Sequence, residues 1–207
     1  MDKKWLLLLA NDIGERHGKE VRNRIFDNID IMVHAPECLS DWFENFVFEM
    51  DKLDDKIFLQ QMMANHSPCG GDYEEDGKVI RELYDNSKTL EEFGKSLKNW
   101  FMQKYDDEGD DVELHGNLLY LTKPLSYNNE QGSCGKGCHC WLAMHTDKIV
   151  SDIFCYCCTI GHTGRPFQVA FGDDIKMEFV ESIICGGKAC VMTVHLPEKH
   201  MTSSVTE

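Results

Sequence analysis

The chain has 207 residues, 42% of them hydrophobic and 28% charged, which is enough to bury a substantial core as one domain or as a domain with an attached subdomain. A formal charge of −15 repels a phosphate backbone, and no Lys/Arg cluster reverses it locally, so the composition argues against nucleic acid and against an anionic membrane surface as partners.

From the N-terminus, the apolar run Trp5 to Ala10 is interrupted by Asn11 and Asp12. It is shorter than a signal-peptide core and far shorter than a membrane span, so a cytoplasmic location is expected. In that reducing compartment the ten cysteines read as thiols, metal ligands or redox groups rather than as five disulfides.

The first half reads as helical. Lys3 to Ala10, Lys19 to Ile31, Glu37 to Met50 and Lys56 to Ala64 carry apolar residues at three- and four-residue spacing, as in Phe43, Phe46, Val47 and Met50. Thr89 followed by Glu92 forms a capping box ahead of a helix through Leu97, Trp100 and Phe101, whose aromatic stripe reads as packing. Two acidic runs, Asp72 to Asp76 and Asp106 to Asp111, lack the ligand spacing of a calcium loop and read as solvated loops. The period then changes. Val112 to His115 and Leu118 to Thr122 flank Gly116-Asn117 as a hairpin, so a boundary near Asp106 divides a helical subdomain, 1–105, from an α+β cysteine-rich subdomain, 106–207, within one compact unit.

Six cysteines lie between Cys134 and Cys158. A loop rich in Asn, Gly and Ser delivers Cys134, Cys138 and Cys140, whose spacing suits thiolates wrapping one ion. Ser151 and Asp152 offer an N-cap to a helix over Ile153 to Phe171, with bends allowed at Gly161 and Pro166. On an unbroken helix Cys155, Cys158 and His162 fall at i, i+3 and i+7, on one face, as a tetrahedral zinc site would need. A buried cysteine-rich face with a hydrogen-bonded histidine is the alternative. Asp174 to Ile184 and Lys188 to Leu196 then read as a hairpin turning at Gly186-Gly187. Glu181 falls on its apolar face unless a bulge intervenes, whereas Glu178 falls on the opposite face.

The run from Cys155 through Gly161-His162-Thr163-Gly164, Phe167, Gly172, Glu178-x-x-Glu181, Gly187 and Cys190 resembles the C-terminal part of 4-vinyl reductase domains and their thiazoline-carboxylate hydrolase relatives. The resemblance covers Ser151 to Leu196. It implies an α+β fold with helices packed on an antiparallel sheet and, by position, a structural zinc site at Cys155, Glu178, Glu181 and Cys190 beside an organic-ligand pocket. Glu181 stands where that family has cysteine, with one more residue before Cys190; Cys185 compensates, or the metal shifts towards Cys138 and Cys140.

The expected function is therefore a zinc-binding module that binds or senses a small organic ligand, its pocket enclosed by Ile175, Met177, Phe179, Phe154, Phe167 and Phe171, with a homodimer left open. Two alternatives stand beside it: a metal- or cysteine-dependent hydrolase of a small cyclic substrate, with His145 or His162 as base, and an iron-sulfur or redox protein.

Overall fold

The computed structural model describes residues 3–26, 39–67, 71–104, 111–124 and 151–199. Four helices open the chain: α1 (Lys3–His17), α2 (Lys19–Phe26), α3 (Leu39–Asp51) and α4 (Lys56–Asn65). They bury Leu6, Leu9, Ile13, Ile25, Phe46, Met50, Leu59 and Met63 against Ile153, Phe154, Ile183 and Ile184 from far along the chain. The core on this side is thus a long-range one.

The first acidic run is not a loop. It opens α5 (Tyr73–Asn86), placing Glu74, Glu75 and Asp76 in the first turn, where their charge opposes the positive end of the helix dipole. The helix α6 (Leu90–Lys104) begins where the capping box places it: Thr89 Oγ1 accepts from the Glu92 amide at 3.2 Å, and the Glu92 carboxylate accepts from the Lys88 amide at 2.7 Å. Buried Phe93, Leu97 and Phe101 turn α6 towards the sheet. Helix α5 packs on the segment Arg165–Phe171 so closely that a Cβ on Gly77 would lie 2.4 Å from the Val169 side chain.

The sheet is antiparallel and four-stranded among the described residues, in the order β1-β2-β4-β3, with β1 at Asp111–His115, β2 at Leu118–Pro124, β3 at Met177–Glu181 and β4 at Ala189–His195. His115 pairs with Leu118 across a two-residue turn in which Gly116 takes φ +65°, the demand of a type II′ turn at its first central position. Both expected hairpins are present, and the fold is α+β: a helical first half followed by an antiparallel sheet with helices on it. Among the described residues no helix is long and apolar enough to cross a membrane.

Between the hairpins, the helical run expected over Ile153–Phe171 is composite. A 3₁₀ turn (Asp152–Phe154) leads into one α-helical turn, α7 (Cys155–Cys158), then a π turn (Thr159–Thr163), then α8 (Arg165–Phe171). Local chemistry accounts for the break. The Thr159 hydroxyl donates back to the Cys155 carbonyl at 2.7 Å, the Gly164 amide reaches five residues back to Thr159 O at 2.8 Å, and Pro166 has no amide hydrogen to continue a ladder. Gly161 is set against α4: a Cβ there would sit 2.4 Å from the Ala64 carbonyl oxygen.

Candidate functional site

One extra residue in a helical turn rotates everything beyond it by about 100°. The π turn therefore separates Cys155 from His162, which a regular helix would hold on one face. Cys155 is buried in the core shared with α1 to α4, whereas His162 faces α5 and α6. Cys157, off the face that Cys155 and Cys158 would share on a regular helix, is buried as well, its thiol 3.8 Å from the Ser67 hydroxyl; Cys158 is half-buried, and its carbonyl accepts from the Thr163 hydroxyl at 3.2 Å. Two distinct regions result.

The first is a thiol cluster. The Cys155 thiol lies 2.9 Å from the hydroxyl of Ser182, which is fully buried and also caps the 3₁₀ turn Ile183–Cys185 by accepting from the Cys185 amide at 3.3 Å. That cap brings the Cys185 sulfur to Cys155. Hydrogen bonding to Cys185, then burial, pushes the Cys155 thiol far up; donation from Cys155, aided by Ser182 and Lys56, pulls Cys185 down to about 6 against burial and Asp152. Cys155 has one proton to share between Ser182 and Cys185, and an ionised Cys185 is the better acceptor. Cys190 reaches the same place from β4. It is half-buried against the first core and close enough for its charge to act on Cys155. No disulfide joins any of the five described cysteines.

The two glutamates stand apart from these thiols. Glu178 lies on the exposed face of β3, between Lys176 Nζ at 2.9 Å and His195 Nε2 at 3.0 Å, and those contacts hold its carboxyl below the usual range. A register shift between Phe179 and Glu181 turns Glu181 to solvent, so the bulge the sequence left open is present and its carboxylate is not buried. The set Cys155, Glu178, Glu181 and Cys190 is therefore not brought together; its two cysteines are near each other, and the side chain that meets Cys155 is that of Cys185. Among the described residues no group of three or more His, Cys, Asp and Glu side chains is arranged to hold a metal. Cys134, Cys138, Cys140 and His145 lie outside the described residues.

The second region is a cleft of about 250 Å³ between α5, α6, the end of β2 and the π turn. His162 Nδ1 is 2.8 Å from the Tyr73 hydroxyl, with the two rings edge to face at 5.6 Å. Burial, reinforced by Lys123, lowers the His162 pKa to about 4 despite Asp76, so near neutral pH the ring is uncharged. Asp76, itself buried, is ion-paired with Lys104, whose ammonium lies 5.2 Å from the Trp100 ring centre. Trp100 thus belongs to the cleft wall as much as to packing, and only Phe101 of that pair is buried. Nothing in the sequence brought Tyr73, Asp76, Lys104 and Lys123 together; the one local signal was the Gly161-His162-Thr163-Gly164 break in the helix.

Two of the residues expected to enclose an apolar pocket between helix and hairpin sit apart in the core. Phe154 and Phe167 are fully buried, and they belong to different halves of the core.

No curated protein and no solved structure matches the chain. A family of unknown function, DUF6144, matches residues 8–201, nearly the whole length, and the chain belongs to that family.

Proposed function

We propose that the protein is a small-molecule-binding module in which Cys155, Cys185 and Cys190 hold a zinc ion that fastens the helical run to the hairpin. The observation that carries this reading is the approach of Cys155 and Cys185 at one buried hydroxyl, Ser182, with Cys190 near enough for its charge to act on Cys155; the three described thiols do not form a finished metal site, so binding would have to draw them together. Soft thiolate donors suit zinc, and Cys185 is already disposed to ionise. Bound there, zinc would supply a cross-link between segments distant in sequence, contributing directly to folding. Three thiols leave one position of a tetrahedron, for which Cys138, Cys140 and Cys134 are the candidates the loop spacing offers.

Elemental analysis of reduced, chelator-free protein tests this. About one zinc per chain is expected, strongly reduced by Cys155→Ser or Cys185→Ser and little changed by Cys157→Ser. Equal metal content in all three variants, or metal well below one equivalent in the parent protein, would overturn it.

A thiol-dependent hydrolase is the second reading, favoured by the exposed, acidified Cys185. Against it, His162, one of the two histidines expected as base, makes its hydrogen bond to Tyr73 in the cleft and not to a cysteine. Turnover of a small cyclic ester or amide that survives metal removal and is lost in Cys185→Ser would give it precedence.

A further inference from the structure

Strand β2 alternates: Leu119 and Leu121 point into the core, and Lys123 follows at the same parity, on the inward side where the strand ends. Its ammonium comes near enough to His162 to disfavour a charge on that ring, and it makes no ion pair with any described residue. An ammonium placed at the edge of a core without a carboxylate is costly. Asp76, one of the two carboxylates lining the cleft, is engaged by Lys104. In a chain of net charge −15, Lys123 is thus a cation of this cleft that no carboxylate among the described residues contacts directly.

The other walls define the rest of an occupant. Trp100 and Ile80 offer apolar surface, and the Tyr73–His162 pair offers a hydroxyl and a neutral imidazole. The volume, about 250 Å³, falls just under the roughly 300–1,000 Å³ usual for ligand sites, so the occupant is small. Asp72 and Asp76 also line the cleft, and two carboxylates oppose a dianion such as phosphate more strongly than a monoanion.

From this geometry we infer that the cleft binds a small organic monocarboxylate with an aromatic or alicyclic body, its carboxylate on Lys123 and the Tyr73–His162 pair and its body against Trp100. This deepens the small-molecule half of the reading above and is independent of the zinc half. Lys123 is the specificity-determining residue: it selects an acid over the corresponding amide.

The test is ligand-observed saturation-transfer NMR on the full chain with benzoate and phenylacetate, their neutral counterparts benzamide and phenylacetamide, and inorganic phosphate. The acids are expected to bind at least about tenfold more tightly than the amides, the energy of one well-placed charged contact. Lys123→Met should abolish that preference while leaving amide binding in place; Tyr73→Phe, which removes only a hydroxyl, gives an independent reading should Lys123→Met not fold. Lys176→Met, on the exposed sheet face, is the control and should change nothing. Equal binding of acids and amides would overturn the carboxylate assignment while leaving a small-molecule site, and phosphate binding above the acids would replace the carboxylate with an inorganic anion. Failure of every probe to bind at several millimolar would overturn both this inference and the small-molecule reading.

Discussion

The thiol cluster and the cleft lie on opposite sides of one π turn, and they are built on opposite principles. The cluster gathers residues of one chemical type: Cys155 and Cys185 meet at Ser182 with Cys190 nearby, and a proton shared between Cys155 and Cys185 sets the ionisation of that pair. The cleft gathers unlike residues, Tyr73, Asp76, Trp100, Lys104, Lys123 and His162, in which partial burial and one ion pair set the charges. A site of like residues needs only convergence. A site of unlike residues needs each element at its own angle, and it is the more sensitive to how the helical run is broken.

The largest expected effect breaks the comparison at its common origin. Gly161→Ala would place a methyl 2.4 Å from the Ala64 carbonyl oxygen, and because the obstacle is backbone no rotamer relieves it. A loss of about 1–3 kcal/mol is expected, as for other overpacked sites. Chemical denaturation measures the loss, and the Tyr73–His162 contact should be disturbed with it. An unchanged midpoint with that contact intact would show that the π turn is not held by α4.

Acid comes next, and on the cleft it acts through His162. His162 has a folded pKa of about 4, below its ordinary value near 6.5, so the unfolded chain binds more protons between those limits. Stability is therefore unaffected by this group above about pH 6.5, falls as pH drops through the window, and levels off below about 4. The ring is partly exposed, and after allowance for solvent screening the loss is on the order of 1–2 kcal/mol. His162→Gln should remove that component of the pH profile; a profile identical to the parent's would place the acid sensitivity elsewhere.

How much of this was legible in the sequence follows from the same contrast. Helical phase and the family resemblance together marked Cys155, and the resemblance marked Cys190. Cys185 belongs with them only through the Ser182-capped turn, which alternation of apolar residues does not reveal. The capping box at Thr89 and both glycine turns were readable because they are local. The helix of Tyr73–Asn86 was missed because its acidic first turn resembles a solvated loop; the charges belong there, at the positive end of the dipole. The π turn was anticipated only as a bend at Gly161 and Pro166. Its phase shift depends on the approach of α4, a contact with a segment about a hundred residues earlier, and spacing rules that assume 3.6 residues per turn cannot carry it.

Alkylation sharpens the comparison on the thiol side. In metal-free protein the pH profile of Cys185 modification should have its midpoint near 6, and Cys155→Ala should move it up towards the ordinary thiol range near 8.5, since the donated proton is gone. The midpoint is the quantity to follow, because a less acidic thiolate is also a better nucleophile and the rates partly cancel. His162→Gln should leave the midpoint alone. A shift of equal size in that variant would mean that the two regions are coupled across the π turn.

The smallest expected effect is none at all, and it separates position in the sequence from place in the structure. Glu178 stands at a ligand position by resemblance, yet its carboxylate is exposed and divided between Lys176 and His195. Exposed ion pairs of this kind contribute little to stability, because solvent screens them and two long side chains must be held in register. Glu178→Gln keeps the size and the hydrogen-bonding oxygen while removing the charge, so metal content and thermal midpoint should both match the parent protein. If zinc were instead lost in this variant with the fold intact, Glu178 would have to turn from the exposed face of β3 to the core face. That movement would require β3 to change register against β4, and amide hydrogen exchange along Met177–Glu181 would show whether it does.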